Sequence, residues 1–366
     1  MTNTKTLAEE LAAKGISRRQ FLKYCAAVAS SLALPPSMIP VMAESLAKAR
    51  RQSVIWLSFQ ECTGCTESLI RSAQPSIESL IFDFISLDYH HTLQAASGDQ
   101  AEHAREQAMA ENKGQYLLIV DGSIPVANNG VYSTIAGMTN LQMLQESAVN
   151  AAAIMAVGTC AAYGGLPMAS PNPTGAVAVK DLIHDKPIIN VPGCPPIGEV
   201  ISGVLAHILT FGKVPELDEL GRPKAFYGEN IHDRCYRRTF YDQGKFAETF
   251  DDEGARQGWC LYKLGCRGPI TNNACATTKW NQGTSFPIES GHGCLGCSQP
   301  GFWDMGGFYN ALSEPIGGLT GVAATAAAAG AATGLVVAAA DKLSKKQALK
   351  KHFTVTAESL EKDAEK

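Results

Sequence analysis

Short apolar runs alternate with amphipathic segments between about residue 53 and residue 211. Each run has the length of a buried strand, and the segments between them repeat polar and apolar positions with a helical period. This alternation predicts an α/β fold with a parallel, doubly wound sheet, whose ligands bind beyond the carboxyl ends of the strands. The predicted strands are SVIWLSF, LIFDFISL, QYLLIVDGS, AAIMAVGT and KPIINVPG, and the predicted helices include AEHAREQAMAEN, NLQMLQESAVNA and EVISGVLAHILTF.

Both periods are lost beyond the segment VPELDELGRP. From about residue 222 to residue 315 the chain is rich in Gly, Pro, Asn and Cys, and only DQGKFAETFDDEGARQ has a helical pattern. An irregular segment of this length needs something other than a large apolar core to hold it together. Its cysteines indicate that metal does so.

The N-terminus has the features of a targeting segment. SRRQFLKY carries a twin-arginine pair, and the mildly apolar CAAVASSLALPPSMIPVMA follows, with small residues at its end. We therefore interpret residues 1–43 as a twin-arginine signal peptide that is cleaved after Ala43. The alternative is an amphipathic helix that happens to begin with two arginines. Twin-arginine export carries folded proteins, which favours a cofactor that is inserted in the cytoplasm.

A second uncharged apolar run lies near the C-terminus, at residues 319–340. It is long enough to span a bilayer as a helix, although its alanine content also allows a soluble helix or a linker. Five lysines follow in DKLSKKQALKKH, and the positive-inside rule places them in the cytoplasm. We expect a transmembrane anchor at 319–340 and a basic cytoplasmic tail at 341–366, with the body of the protein on the periplasmic side of the inner membrane.

Composition narrows the class of protein. The 366 residues are 45% hydrophobic and 18% charged, which is enough to bury a sizeable core. A net charge of -4 and the lack of a basic stripe with interleaved aromatic residues exclude nucleic acid as a partner. The remaining chemical signal is the set of 11 cysteines, of which Cys25 would leave with the signal peptide.

Four of these cysteines follow the carboxyl ends of predicted strands. Cys62 and Cys65 follow the first strand, Cys160 follows the fourth and Cys194 follows the last. Because those ends meet at one edge of a parallel sheet, the four thiols can converge on one crevice. A C-x-x-C pair at such a turn is compatible with a redox dithiol, half of a zinc site or two ligands of an iron-sulfur cluster.

The remaining cysteines favour iron-sulfur clusters over disulfides and zinc. The ten cysteines of the mature chain divide into one group of four and two groups of three. His232 lies three residues before Cys235, at H-x-x-C spacing, and can complete one of the groups of three as a fourth ligand. Disulfides do not require export in the folded state, which the twin-arginine signal indicates. Ten cysteines and His232 make eleven candidate ligands, more than the eight that two closed four-coordinate zinc sites would use. Three thiolates alone are typical of a 3Fe-4S cluster. The sets are Cys62, Cys65, Cys160 and Cys194 (the four-cysteine set); His232, Cys235, Cys260 and Cys266 (the histidine set); and Cys275, Cys294 and Cys297 (the three-cysteine set).

The motifs together resemble a known family. ECTGCTES, GTCAAYGG, NPTGA, VPGCPP, HDRCYRR, WCLYKLGCRGP, NNAC and SGHGCLGC are similar to those of the small subunit of membrane-bound nickel-iron uptake hydrogenases. The likeness runs from Ser17 through the C-terminal tail. It implies a flavodoxin-like domain at 50–215 and an irregular cluster-binding domain at 216–315.

The resemblance also implies cofactors and partners. The four-cysteine set would hold a proximal 4Fe-4S cluster, the three-cysteine set a medial 3Fe-4S cluster and the histidine set a distal 4Fe-4S cluster. Electrons from hydrogen oxidation at a nickel-iron site on a separate large subunit would pass to a membrane cytochrome b and on to quinone. A dimer of such heterodimers is possible. No residue of this chain would be catalytic, since none is left to bind nickel.

Two positions depart from one branch of the family. Oxygen-tolerant members carry two further cysteines beside the proximal cluster, and Gly64 and Gly165 occupy those positions here. We therefore expect an ordinary cubane and an enzyme that air inactivates.

Two alternative functions remain. The first is a stand-alone exported iron-sulfur electron carrier, which would lack a broad apolar surface around the proximal loops. The second is a disulfide-stabilised exported binding protein, which would be colourless.

Several polar side chains near the motifs have two interpretations. Glu61 and Glu67 flank the first motif and could join a proton path or serve as helix caps and surface residues. His292 is expected to donate toward a sulfur or a carbonyl. Four arginines near the distal ligands could order a docking face for the cytochrome or solvate a polar surface; they are Arg234, Arg237, Arg238 and Arg267.

Overall fold

The structure is a computed structural model that describes residues 6–31, 35–48, 51–73, 75–306 and 308–311. Its strands are β1 (Gln52–Ser58), β2 (Ile85–His90), β3 (Leu117–Asp121), β4 (Ile124–Pro125), β5 (Thr134–Ile135), β6 (Met138–Thr139), β7 (Ala153–Val157), β8 (Ala176–Val177) and β9 (Ile188–Val191). Five of them form a parallel sheet in the order β2-β1-β3-β7-β9. Counted among these five alone, the order is 2-1-3-4-5, which confirms the predicted flavodoxin-like sheet.

Helices cover both faces of the sheet. The α-helices are α1 (Leu7–Ala13), α2 (Arg18–Ser31), α3 (Met38–Lys48), α4 (Gly64–Ile70), α5 (Ile77–Ser79), α6 (Asp99–Glu111), α7 (Asn140–Ala148), α8 (Gly158–Tyr163), α9 (Gly165–Met168), α10 (Gly198–Phe211), α11 (Lys224–Tyr227), α12 (Arg238–Asp242) and α13 (Glu253–Arg256). Short 3-10 helices lie at Ala127–Gly130, Val179–Asp181, Tyr262–Leu264, Gly268–Ile270, Ala274–Ala276 and Phe302–Asp304.

The central strand β3 shows why these apolar runs form a doubly covered sheet. All five of its residues are buried, and alternate side chains enter two different hydrophobic clusters. Leu117 and Ile119 face the cluster that contains Val200 and Val204 of α10, whereas Leu118 packs on the opposite side. The first four positions of the strand are therefore all apolar, as in parallel strands covered on both faces, and only the terminal Asp121 is polar.

One predicted strand is only half correct. LIFDFISL begins with a π-helix at Leu80–Phe84, and β2 starts only at Ile85. Ser76 caps the preceding turn by accepting a hydrogen bond from the amide of Ser79, and the Arg51 guanidinium donates to the carbonyls of Ile81 and Ile85. These local partners for the backbone stabilise a helical turn where the apolar run alone predicts a strand.

The segment beyond residue 216 consists mainly of turns and short helices, as predicted. The helical prediction for 242–257 is wrong over most of its length, because only α13 lies within it and α12 ends at its first residue. Asp252 ends the intervening turn by accepting hydrogen bonds from the amides of Glu248 and Ala255. Buried side chains such as Phe226 and Leu261 belong to the same hydrophobic cluster as β1 and α10, so the apolar core continues across residue 216.

The N-terminal residues form three helices that pack against the sheet region. The ring of Tyr24 stacks on that of Phe84 with 4.0 Å between centroids, and Cys25 is buried in the same cluster. Lys14 forms a salt bridge of 3.0 Å with Asp83. The interpretation of residues 1–43 as a cleaved export signal remains a prediction.

None of the helices in the described part of the chain is long and apolar enough to cross a membrane. The predicted anchor at 319–340 and the tail at 341–366 lie outside the described residues.

Replacement of Leu118 by Ala tests the core of the sheet. Leu118 is fully buried at the centre of β3, so the substitution should leave a cavity and lower the free energy of unfolding by about 2–5 kcal/mol. Val149→Ala is the matched control, because Val149 is 64% exposed. Thermal unfolding of the purified complex should show a midpoint temperature for L118A that is clearly below those of V149A and the unsubstituted complex. Equal midpoint temperatures for the two variants would contradict the assignment of the core.

Candidate metal centres

The four-cysteine set meets at the carboxyl edge of the sheet. Cys62 lies in the turn between β1 and α4, Cys65 in the first turn of α4, Cys160 in α8 after β7, and Cys194 follows β9. Burial, together with neighbouring charges that include Cys160 and Cys194, raises the pKa of the Cys65 thiol. Burial and the nearby Cys194 raise the pKa of Cys160 to about 12. The thiols are thus close enough to interact, as the predicted crevice requires.

Thr159 joins the loops that carry these thiols. Its backbone amide donates to the carbonyl of Gly193 at 2.9 Å, and its hydroxyl accepts from the amide of the same glycine at 2.9 Å. The hydroxyl also donates to the carbonyl of Cys297. A single buried side chain therefore connects the loops of Cys160 and Cys194 with the three-cysteine set. Nothing in the sequence pattern predicts this role for Thr159, although it stands directly before a candidate ligand.

The histidine set lines one small cavity in the irregular segment. Leu261 and Ile288 close its apolar sides. Burial lowers the pKa of His232, and the charge of Arg238 lowers it further, so the imidazole is neutral near pH 7 and its lone pair is available for a metal. Its ring meets Tyr241 edge to face at 4.6 Å, which limits its rotation. The cavity-lining ligands are His232, Cys235, Cys260 and Cys266.

The three-cysteine set lies between the other two. Burial raises the pKa of Cys294, and the thiols of Cys266, Cys297 and Cys275 raise it further. On one side, the amide of Cys294 donates to the sulfur of Cys266 at 3.3 Å. On the other side, Cys297 contributes to the raised pKa of Cys194. The three groups of thiols therefore form a continuous series through the protein.

Backbone amides point at the sulfur atoms in a regular way. The amide of Gly296 donates to the sulfur of Cys294 at 3.4 Å, and the amide at the same offset lowers the thiol pKa of three further cysteines. Such N–H···S hydrogen bonds stabilise the negative charge of a thiolate and lower the thiol pKa. The four amide and cysteine pairs are Arg237 and Cys235, Tyr262 and Cys260, Gly268 and Cys266, and Gly296 and Cys294.

These features fit iron-sulfur ligation. Burial raises the pKa values of Cys260 and Cys275 to about 12, so these thiols are neutral near pH 7 until a metal displaces their protons. In the described part of the chain, no three His, Cys, Asp or Glu side chains converge closely enough to hold a single metal ion. A cluster places its ligands on separate iron atoms, and these thiols are grouped with donors aimed at sulfur.

Glycines allow the backbone to approach the four-cysteine set closely. A Cβ atom on Gly158 would lie 2.5 Å from the sulfur of Cys65, and one on Gly165 would lie 2.6 Å from the sulfur of Cys160. Both glycines have positive φ angles, +85° and +57°, which side-chain-bearing residues rarely adopt. Gly64 is less constrained, since its Cβ would lie 3.2 Å from the sulfur of Cys62.

A buried carboxyl beside the four-cysteine set was also missed. Asp121 ends β3, is 1% exposed and lies beside the thiol of Cys65. Burial raises its pKa to about 8, and the nearby Glu61 contributes to the rise. Its place at the carboxyl end of a buried strand was the available signal. Glu67, in contrast, is exposed and pairs with Arg71 at 3.6 Å, which supports the surface interpretation.

The four arginines divide into two classes. Arg234 is exposed and Arg238 half-buried, and both pair with carboxylates, whereas Arg237 and Arg267 are buried, so an exposed docking face is wrong for the latter two. Arg267 donates to the carbonyls of Phe302 and Gly306. His292 pairs through Nδ1 with the carbonyl of Gly293 at 2.8 Å, as expected.

A parallel α/β sheet with thiols at its carboxyl edge, followed by a segment whose amides point at further thiols, defines an iron-sulfur redox protein. Two family descriptions match the chain. The family of the 20 Kd subunit of NADH ubiquinone oxidoreductase matches residues 62–208, and the family of the C-terminal part of the NiFe/NiFeSe hydrogenase small subunit matches residues 227–309.

Individual relatives cover most of the chain. The uptake hydrogenase small subunit of Azotobacter vinelandii is 50% identical over 86% of this chain and 87% of its own length. The hydrogenase-1 small chain of Escherichia coli K12 is 48% identical over 86% and 84%. The reduced, active Ni-Fe-Se hydrogenase of Desulfomicrobium baculatum is similar in structure, with a TM-score of 0.67, 37% identity and coverage of 72% of this chain and 100% of that one.

The chain therefore belongs to the family of nickel-iron uptake hydrogenase small subunits. It is the iron-sulfur electron-transport subunit of an oxidoreductase and pairs with a large subunit that carries the nickel-iron site. The resemblance inferred from the motifs is thus confirmed.

Replacement of Gly158 by Ala should disturb the four-cysteine set. The new methyl group would displace the sulfur of Cys65, so the purified complex should contain less iron and sulfide per heterodimer than the unsubstituted complex. Gly137→Ala is the control, because Gly137 also has a positive φ angle, +78°, but has open space where the methyl group would lie. Equal iron contents in both variants would show that Gly158 does not abut a cluster ligand.

Proposed function

We propose that this chain carries electrons through three iron-sulfur clusters between the large subunit and a membrane cytochrome b. The observation that supports this most strongly is the continuous series of thiol groups, linked by Cys194 with Cys297 and by Cys266 with Cys294. The proposed ligands are Cys62, Cys65, Cys160 and Cys194 for a proximal 4Fe-4S cluster; Cys275, Cys294 and Cys297 for a medial 3Fe-4S cluster; and His232, Cys235, Cys260 and Cys266 for a distal 4Fe-4S cluster.

The clusters, when bound, would supply one-electron transfer from hydrogen oxidation toward cytochrome b and quinone. The protein residues bury five of the candidate ligand thiols, Cys65, Cys260, Cys266, Cys275 and Cys294, and so hold them in low-dielectric surroundings. The amides that donate to sulfur are fixed in turns, such as the one in which the amide of Gly268 donates to Cys266. Fixed dipoles reorient little when charge changes, which favours rapid electron transfer.

The end with the four-cysteine set would face the large subunit. Cys62 and Cys194 are exposed in the isolated chain, so a cluster there needs a partner to cover it. Exposed apolar side chains lie on the two helices next to these cysteines: Leu166 (52% exposed) and Met168 (43%) on α9, and Ile70 (37%) at the end of α4. Apolar residues around the proximal loops favour a subunit interface over a stand-alone exported electron carrier.

Export and membrane attachment belong to the same proposal. Residues 1–43 would direct export by the twin-arginine route, 319–340 would anchor the chain in the inner membrane, and 341–366 would remain in the cytoplasm. The exposed Arg18 and Arg19 at the start of α2 are compatible with recognition by an export machinery. The body would lie on the periplasmic side, where two heterodimers could associate.

Electron paramagnetic resonance of the solubilised native complex tests the function. The oxidised sample should show a 3Fe signal, reduction under hydrogen should give 4Fe signals, and metal analysis should find one nickel per heterodimer. Clusters without nickel or a response to hydrogen would favour a stand-alone carrier instead. A colourless protein without iron would indicate that the cysteines form disulfides instead.

The enzyme should lose activity in air. Gly64 and Gly165 supply no additional thiols beside the proximal ligands, so the proposed cluster is an ordinary cubane without extra sulfur ligands. Hydrogen uptake by the purified complex, followed electrochemically at high potential, should fall after oxygen is admitted, while an anaerobic control remains constant. Sustained aerobic uptake would contradict this expectation.

A further inference from the structure

A buried positive charge lies at the wall of the cavity that holds the histidine set. Arg237 is 6% exposed and lines the cavity together with His232, Cys235 and Cys260. In the described part of the chain it makes no ion pair with a carboxylate, in contrast to its neighbours Arg234 and Arg238. Burying a guanidinium without a carboxylate is costly unless another negative group lies near it.

Neutral hydrogen bonds hold this guanidinium in place. Nη1 donates to the carbonyl of Trp259 at 2.8 Å, and Nε donates to the hydroxyl of Tyr236 at 2.7 Å. Trp259 directly precedes the ligand Cys260, and Arg237 itself stands two residues after the ligand Cys235. The side chain is therefore fixed between two loops that each carry a ligand.

The groups that share the cavity wall with this charge are the candidate ligands themselves. Cys235, Cys260 and Cys266 line the same small cavity as Arg237. A negatively charged cluster bound by these thiolates would therefore lie beside the guanidinium.

We propose that Arg237 is the counter-charge of the distal cluster and raises its reduction potential. This inference depends on the proposed ligand set. Reduction adds one electron to the cluster, and a fixed positive charge beside it stabilises the reduced form more than the oxidised form. Because the charge is buried, salt should screen the effect only weakly.

Three substitutions separate charge from structure. Arg237→Gln removes the charge but retains an amide donor for the carbonyl of Trp259, Arg237→Lys retains the charge, and Arg237→Met is a second neutral variant of similar apolar volume. Arg234→Gln is the matched control, because Arg234 also adjoins Cys235 but is exposed and paired with Glu229 at 2.6 Å.

Redox titration of the purified heterodimers, followed by electron paramagnetic resonance, measures the potential of each cluster. The distal signal should shift to lower potential in R237Q and R237M and should stay near the unsubstituted value in R237K and R234Q. The medial and proximal signals should not move, and the shift should persist at high salt. An unchanged distal potential in R237Q, or an equal shift in R237K, would overturn the role of the charge.

A ligand variant distinguishes this failure from failure of the proposed function. In the unsubstituted complex, one 4Fe signal should be present and should be lost on Cys260→Ala, with a matching loss of iron. If that signal is absent, or survives in C260A, the distal ligand set itself is wrong and the role of Arg237 falls with it. If the signal is lost in C260A as expected, but the distal reduction potential is the same with and without the charge of Arg237, only the inference about Arg237 fails.

Discussion

Placing thiol sulfur atoms together, largely away from water, is the constraint on which the three groups of cysteines depend. Burial raises the pKa of nearly every candidate ligand, so each thiol remains neutral unless positive iron and nearby dipoles favour its charged form. The amides two residues after four of the cysteines provide such dipoles. An amide that donates to sulfur cannot also pair in a helix or a sheet ladder. This competition gives a physical reason for the turns and short helices of the chain beyond residue 216.

The sheet and the four-cysteine set could be predicted because one rule governs both. Parallel strands buried on two faces appear as continuous apolar runs, and their carboxyl ends meet at one edge, so cysteines after β1, β7 and β9 had to be neighbours. The side chains that connect the loops and surround the ligands could not be predicted by this rule. Thr159 connects loops 34 residues apart through hydrogen bonds, and nothing in the local pattern distinguishes it from any threonine in a turn. Asp121 and Arg237 are ordinary polar residues until the fold buries them.

The two errors in secondary structure have a common cause. In LIFDFISL and in 242–257, the pattern of apolar and polar residues predicted one continuous element, whereas side chains of particular residues end or redirect the backbone. The guanidinium of Arg51 binds carbonyls of the π-helical turn, and Asp252 accepts amides from both sides of a turn. Hydrogen bonds between side chains and backbone compete with regular structure, and their partners depend on geometry that a hydrophobic pattern does not contain.

The links between neighbouring sites also explain why the chain beyond residue 216 cannot be an independent appendage. The hydroxyl of Thr159 joins the sheet loops to Cys297, the amide of Cys294 reaches the sulfur of Cys266, and one hydrophobic cluster includes residues of both regions. Movement of either region would therefore change the surroundings of two ligand sets at once. A series of redox centres works best when its spacing and its dipoles do not fluctuate, because reorganisation slows each transfer. The shared hydrophobic core and the hydrogen bonds between the loops hold the ligand groups at fixed positions. The residues that stabilise the fold therefore also limit the movement of the ligands.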